Sequence, residues 1–191
     1  MLYGSGKDRK MRRTAIFFAA VFLMMSAACG STDTSGQQQG QASGSTAQAD
    51  TGIKGETVDK PYCSVFLPSG WTLVPFDDSE TLQLINEGGS LDNQVVAMSV
   101  MGNNVTESEN KELFEAQMKS YNAEFKENRM IGGVDCMCAV YTTEIGGGTY
   151  QYTQYQGLKD GRQISVEVCN MDVNDETVKA ILDSMNFKTN Q

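Results

Sequence analysis

The sequence predicts an α+β domain, an antiparallel β-sheet packed by helices. Three observations lead there. Between residues 134 and 170, three β-rich segments are joined by Gly146-Gly147-Gly148 and by Asp160-Gly161, and the second pair is a strong signal for a two-residue hairpin. Two apolar stripes at helical spacing follow Thr106 and Asn174, residues suited to helix caps. Strands outnumber helices and every turn between strands is of the antiparallel kind, which places the chain in the α+β class.

The first element is a leader. Lys7, Arg9, Lys10, Arg12 and Arg13 precede an apolar run, Ala15 to Met25, of eleven residues. A stable bilayer span needs about 20 helical residues, so the run reads as the core of a signal peptide over residues 1–28. Met11-Arg12-Arg13 already supplies a compact basic start, which makes Met11 an alternative first residue. The run ends in Ser26-Ala27-Ala28-Cys29-Gly30, which resembles the lipobox of bacterial lipoproteins. The resemblance implies cleavage after Ala28, a diacylglycerol group on Cys29 and a lipid-anchored place on the extracytoplasmic face of the cell membrane. Ser26 departs from the pattern, which usually carries an aliphatic residue there.

Residues 29–60 are almost all Ser, Thr, Gly, Gln, Ala and Asp before Tyr62 begins a richer composition. Such a stretch buries too little apolar area to offset its ordering entropy, and it is expected to be a disordered tether. As a coil of roughly 30 residues it has a root-mean-square span of about 30 Å.

The globular part is expected over residues 61–191. Tyr62 to Leu67 and Trp71 to Val74 read as extended segments around the turn Leu67-Pro68-Ser69-Gly70, an opening hairpin. Thr81 to Ile85 and Gln94 to Met101 are two further strands, separated by the loop Asn86 to Ser90. Thr106 with Glu109 forms a capping box, and Phe114, Met118, Tyr121 and Phe125 continue one helical stripe. The meander follows as Val134 to Thr143, Thr149 to Leu158 and Arg162 to Asn170. A last helix is expected from Asp175 to Met185, with Asn174 as its cap, Val173 and Val178 as a hydrophobic staple, and Val178, Ile181, Leu182 and Met185 on one face.

The Asp160-Gly161 turn sets the register of the meander. Lys159 then faces Arg162 and Tyr155 faces Val166, with Cys136, Cys138, Val140, Tyr155, Ile164, Val166 and Val168 on one side of the sheet. Met137, Ala139, Tyr141, Tyr150 and Tyr152 share the other side with Gln154, Ser165 and Glu167. Apolar content on both sides predicts either helices on both faces or one exposed aromatic patch. The order of elements, with Phe66-Leu67-Pro68-Ser69-Gly70-Trp71 at the start and Ile181 to Phe187 at the end, resembles the PsbP-like fold. That fold is an α/β/α sandwich also found in LpqN-type lipoproteins. The resemblance implies an accessory or binding module and transfers no functional residue.

Composition narrows the chemistry. After Ala28 the chain carries 10 basic and 23 acidic residues, a formal charge of −13, which disfavours nucleic acid and polybasic membrane docking. With no histidine, the usual base of Ser and Cys hydrolases and the commonest transition-metal ligand are missing. No cofactor is expected: the triple glycine precedes a strand, whereas a phosphate loop leads into a helix. Acidic groups at Asp77-Asp78, Glu107-Glu109 and Asp172-Asp175-Glu176 fit turns and helix starts, leaving a carboxylate-based envelope hydrolase as the third functional reading. Cys63, Cys136, Cys138 and Cys169 are expected either as buried thiols or as a disulfide joining Cys63 to Cys136 or Cys138, since Cys169 falls on the opposite face. A Cys-x-Cys metal site is disfavoured by its spacing. The leading reading is therefore a membrane-tethered binding or accessory lipoprotein that meets a protein or envelope partner through Tyr141, Tyr150 and Tyr152. A small-ligand carrier with a pocket between sheet and helix is the alternative.

Overall fold

In a computed structural model of the chain, residues 52–74, 81–86, 94–100 and 104–188 are described. The leader, Cys29, the tether up to residue 51, Asp77-Asp78 and most of the loop from Asn86 to Ser90 lie outside them. In chain order the described elements are β1 (Gly55–Asp59), β2 (Cys63–Pro68), β3 (Trp71–Val74), β4 (Thr81–Asn86), β5 (Gln94–Val100), α1 (Glu107–Ser120), β6 (Glu124–Ile131), β7 (Val134–Ile145), β8 (Gly148–Lys159), β9 (Arg162–Cys169), α2 (Glu176–Ser184) and β10 (Asn186–Phe187). The class is α+β, with antiparallel pairing throughout.

Turn chemistry fixes the centre of the fold. Asp160 and Gly161 both take positive φ, 51° and 75°, as do Gly146 and Gly147 at 60° and 85°. Two successive left-handed residues match the twist of the flanking strands, so each pair closes a tight hairpin. Lys159 pairs with Arg162 and Tyr155 with Val166, the register expected from the Asp160-Gly161 turn, and Ile145 pairs with Gly148 across Gly146-Gly147. Around this meander a seven-stranded sheet runs in the order β3-β4-β5-β9-β8-β7-β6.

The opening hairpin does not form. β2 and β3 are both extended, but β2 belongs to a separate three-stranded sheet, β1-β2-β10, whereas β3 pairs with β4. The Pro68 to Gly70 corner passes the chain from one sheet to the other. β1 also shortens the expected tether, because Gly55–Asp59 pairs with Ser64 to Pro68 and belongs to the domain. Its pattern is nearly all exposed, so no apolar periodicity announces it.

The two helices cover opposite faces. On one side Tyr62, Cys63, Val65, Leu82, Leu84, Cys136, Cys138, Tyr155, Ile164, Val166 and Val168 form the larger core with Val178, Ile181, Leu182 and Met185 of α2 and its flank. On the other, Phe114 and Met118 of α1 pack on Ala139, Tyr141, Tyr152 and Cys169. Of the two arrangements that the sequence left open, helices on both faces is the one found. The capping box is present, with Thr106 accepting from the Glu109 amide and the Glu109 carboxylate accepting from Thr106. These bonds hold the Glu109 carboxyl below its ordinary range.

Two helix boundaries are corrected. The first helix stops at Ser120, and Asn122 takes φ of 52°, which reverses the chain into β6. Phe125 therefore lies on a strand, yet its ring still meets Phe114 edge-on at 6.1 Å. The cap of α2 is Asp175 instead of Asn174: the Asp175 carboxylate accepts from the amides of Thr177 and Val178, while the Asn174 amide donates to Asp172. Val173 and Val178 both pack in the larger core.

Candidate functional site

The α1 side of the large sheet gathers most of the unusual chemistry. Its deepest layer is polar. Gln154, Gln156, Gln163 and Ser165 are all buried, a costly arrangement unless satisfied. Gln156 and Gln163 both donate to the Asn110 side-chain oxygen, at 3.0 and 2.8 Å, and Gln154 donates to the Ser165 hydroxyl at 2.6 Å. Asn110 is buried in the second turn of α1, so this network ties the helix to β8 and β9.

Beside it runs an aromatic stack. Tyr121 lies on Tyr141 with centroids 4.6 Å apart, and Tyr141 lies on Tyr152 at 5.2 Å. Burial pushes the phenols of Tyr141 and Tyr152 well above the usual tyrosine range, and the nearby Glu167 charge pushes in the same direction. Glu167 itself is partly buried on β9, cross-strand from Gln154. Loss of water raises its carboxyl to about 7.

The expected tyrosine docking face is corrected here. Tyr141 and Tyr152 are 6% and 3% exposed, and Tyr150 is partly buried against the same cluster, because Phe114 and Met118 of α1 close over them. The exposed rim is instead made of residues the sequence reading assigned to the core or did not single out. Among the described residues the exposed large apolar side chains are Leu113, Tyr121, Phe125, Met130 and Ile145, each more than two-fifths exposed. Leu113 lies on α1 and Tyr121 caps its end. The strand register puts Phe125, Met130 and Ile145 on the α1 side of the sheet, since Phe125 pairs with Ala139, Met130 with Asp135 and Ile145 with Gly148. The signal that could have found Phe125 is Asn122, a left-handed residue that ends the helix before the stripe does.

The strand edge beneath this rim is guarded. β6 ends the seven-stranded sheet, but its register shifts between Lys126 and Arg129, and a bulged, charged edge resists strand addition. Arg129 also turns inward, donating to the Val173 carbonyl and pairing with Asp183 at 2.8 Å.

Cys63, Cys136, Cys138 and Cys169 are buried and no disulfide joins them; of the two alternatives left open, the bond from Cys63 to Cys136 or Cys138 is not formed. Cys63 and Cys136 are pushed up to about 12, mainly by burial. A thiol so far from ionisation is a packing group, not a nucleophile. Among the described residues no group of three His, Cys, Asp or Glu side chains is placed to hold a metal, and no helix is long and apolar enough to cross a membrane.

The seams between sheet and helices, where the pocket was expected, are lined by buried side chains. Phe114 and Met118 are fully buried under α1, and Ile181 and Leu182 are fully buried under α2. A shallow groove of about 310 Å³ does exist elsewhere, lined by Glu56, Leu67, Pro68, Ser69, Trp71 and neighbouring glycines where β2 gives way to β3. Two of the acidic groups singled out from the sequence serve local structure: Asp172 accepts from Asn174, and Asp175 caps α2.

No protein-family model matches the chain, and no curated protein matches it. Its fold is similar to a crystal structure from Bacteroides thetaiotaomicron VPI-5482, with a TM-score of 0.51 and 14% identity over 72% of this chain and 50% of that one. The chain thus spans half the length of the Bacteroides protein. LpqN, involved in cell envelope biogenesis of Mycobacterium tuberculosis, aligns with a TM-score of 0.47 and 11% identity over 72% of this chain and 92% of LpqN. At 14% identity the Bacteroides likeness extends to the fold alone.

Proposed function

We propose that the chain is a binding or accessory lipoprotein, not an enzyme, anchored through lipid on Cys29 at the extracytoplasmic face of the bacterial cell membrane. Its docking face is the apolar rim around α1, not the buried tyrosines. One observation carries the reading: of the exposed large apolar side chains among the described residues, Leu113, Tyr121 and Phe125 gather around α1, while Met130 and Ile145 lie on the same side of the sheet towards opposite ends of β7. Scattered exposed hydrophobics need no explanation, but a gathered set marks an interaction surface. The lipid and tether supply attachment, which an acidic domain of this kind lacks, and leave the rim free to meet a protein or envelope component.

A double variant tests it. Tyr121→Ser with Phe125→Ser alters two exposed rings and should leave a cooperative melting curve. Chemical crosslinking on intact cells is expected to give adducts with the wild-type chain that disappear in this variant and in Cys29→Ala. Adducts unchanged in the double variant would remove the rim from the account.

A further inference from the structure

β7 and β8 outrun the strands that flank them. They pair with each other from Met137 opposite Gln156 to Ile145 opposite Gly148, but β6 accompanies β7 only as far as Val140, opposite Glu124, and β9 accompanies β8 only from Tyr152 to Lys159. Residues 141–151 therefore form a hairpin arm that projects past the rest of the sheet. Its two outer edges differ. On β8, Asn170, at φ of 53°, donates its amide to the Gln151 carbonyl and accepts from the Gln151 amide through its side-chain oxygen, both at 2.8 Å, so that edge is closed at Gln151. On β7, no strand among the described residues continues the column of β6 beyond Val140.

The turn decides what the open edge offers. Gly146 and Gly147 make a two-residue loop, so Ile145 and Gly148 are the hydrogen-bonded pair that closes it. Main-chain groups alternate from there: those of Thr143 and Tyr141 are directed at β8, and those of Thr142 and Glu144 are directed outward, in step with Val140, which faces β6. Thr142 and Glu144 thus present a row of donors and acceptors without the bulge that guards β6. Glu144 is also the one charged residue between Tyr141 and Leu158, in a chain that carries 10 basic against 23 acidic residues after Ala28.

We infer that this edge pairs with the same edge of a second copy of the chain, antiparallel and about a two-fold axis at Thr143, so that the large sheets of two molecules join through β7. With Thr143 on the axis, Thr142 of each copy opposes Glu144 of the other, and every outward N–H and C=O on both edges finds a partner. An axis at Thr142 would set Glu144 against Val140, which β6 already occupies, and an axis at Glu144 would set two carboxylates face to face. The chosen register brings Ile145 of each copy opposite Tyr141 of the other, on the α1 side of the sheet, where Tyr121 is stacked on Tyr141. Ile145 and Tyr121, each 41% exposed, then cover one another across the seam. Charge favours a second copy as the occupant, because two acidic domains meet along an edge almost free of charge. A two-fold contact closes on itself and gives a pair instead of a fibre. The seam is small, so the pair is weak in solution and gains from anchoring both copies on one membrane. It does not depend on the docking of another partner.

Cysteine crosslinking tests the pairing, on the full chain both in phospholipid vesicles and concentrated in solution, so that the outcome does not depend on the anchor. Thr143→Cys places two thiols directly opposite one another in a pair without main-chain bonds between them, with Cβ atoms about 4.5–5.5 Å apart. Thr142→Cys sets its two copies on a diagonal, and Thr149→Cys keeps them two strands apart. Copper-phenanthroline oxidation should give roughly tenfold more linked dimer from Thr143→Cys than from either control. Glu144→Pro, added to Thr143→Cys, deletes an outward donor and none of the hairpin's own, so it should abolish the dimer and keep a cooperative melting curve. Equal linkage at the three positions would be random collision and would overturn the inference, as would no dimer from Thr143→Cys or a dimer that survives Glu144→Pro in a folded chain. Should the proline variant fail to fold, the comparison among the three cysteine positions decides.

Discussion

Tyr121 lies nearly flat on Tyr141, with ring planes 17° from parallel, so a ring that is 41% exposed covers one that is 6% exposed. The two should respond differently to truncation. Tyr141→Ala opens a cavity beneath Phe114 and Met118 and is expected to cost about 3 kcal/mol, whereas Tyr121→Ala loses mainly a stacking contact, about 1 kcal/mol. Urea denaturation of both variants measures the difference, and equal losses would contradict the burial described.

Asn110 is the hinge pin of the polar network. Asn110→Ala removes the side-chain oxygen that accepts from Gln156 and Gln163, so Gln163 loses that acceptor while Gln156 keeps the Asn110 backbone carbonyl at 3.2 Å. Each unmade bond costs about 1–3 kcal/mol, so the variant should lose more stability than an ordinary surface change in α1, such as Lys111→Ala. Thermal denaturation of the two variants side by side is the check. Hydrogen exchange should also show α1 amides protected less than in the wild type.

How far the sequence carried follows from where each signal resides. The β7-β8-β9 meander was legible because its register is written in adjacent residues, Gly146-Gly147 and Asp160-Gly161, and the two faces of the sheet follow by alternation. The pairing of β2 was not, because its partners come from Gly55–Asp59 before it and Asn186–Phe187 after β9 and α2, and no local pattern records a distant partner. β6 escaped because most of its residues are exposed, which hides any alternation. For the candidate site, the sequence put Tyr141, Tyr150 and Tyr152 on the correct face with Glu167, but could not say that α1 would close over the tyrosines. That depends on where a helix lands, and Asn110 helps to set it through two residues more than forty positions away.

Glu167 gives stability a pH dependence of definite sign. Its folded value of about 7 lies above the ordinary carboxylate value of 4.5, so the folded state binds the proton more tightly. The corresponding stability is present below about pH 4.5 and is lost as pH rises toward 7, by at most roughly 3 kcal/mol. Glu167→Gln should flatten that part of the curve and exceed the wild type in stability at pH 8. A wild-type curve already flat between pH 5 and 7 once other carboxylates are accounted for would contradict this.

Thiol chemistry reports on core and anchor together. With Cys63, Cys136, Cys138 and Cys169 buried and unbonded, the native chain should be inert to a disulfide exchange reagent at pH 8. In denaturant four thiols should react. A fifth would show that Cys29 carries no thioether, and two or three would reveal a disulfide.

The docking face is the central claim, and site-specific photocrosslinking in intact cells tests it most directly. A photoreactive residue is placed at Phe125 on the rim, or at Lys179, exposed on α2 across the sheet. The account predicts a discrete adduct from position 125 and none from 179. An adduct from 179 with none from 125 would place the working surface on the α2 face and contradict it.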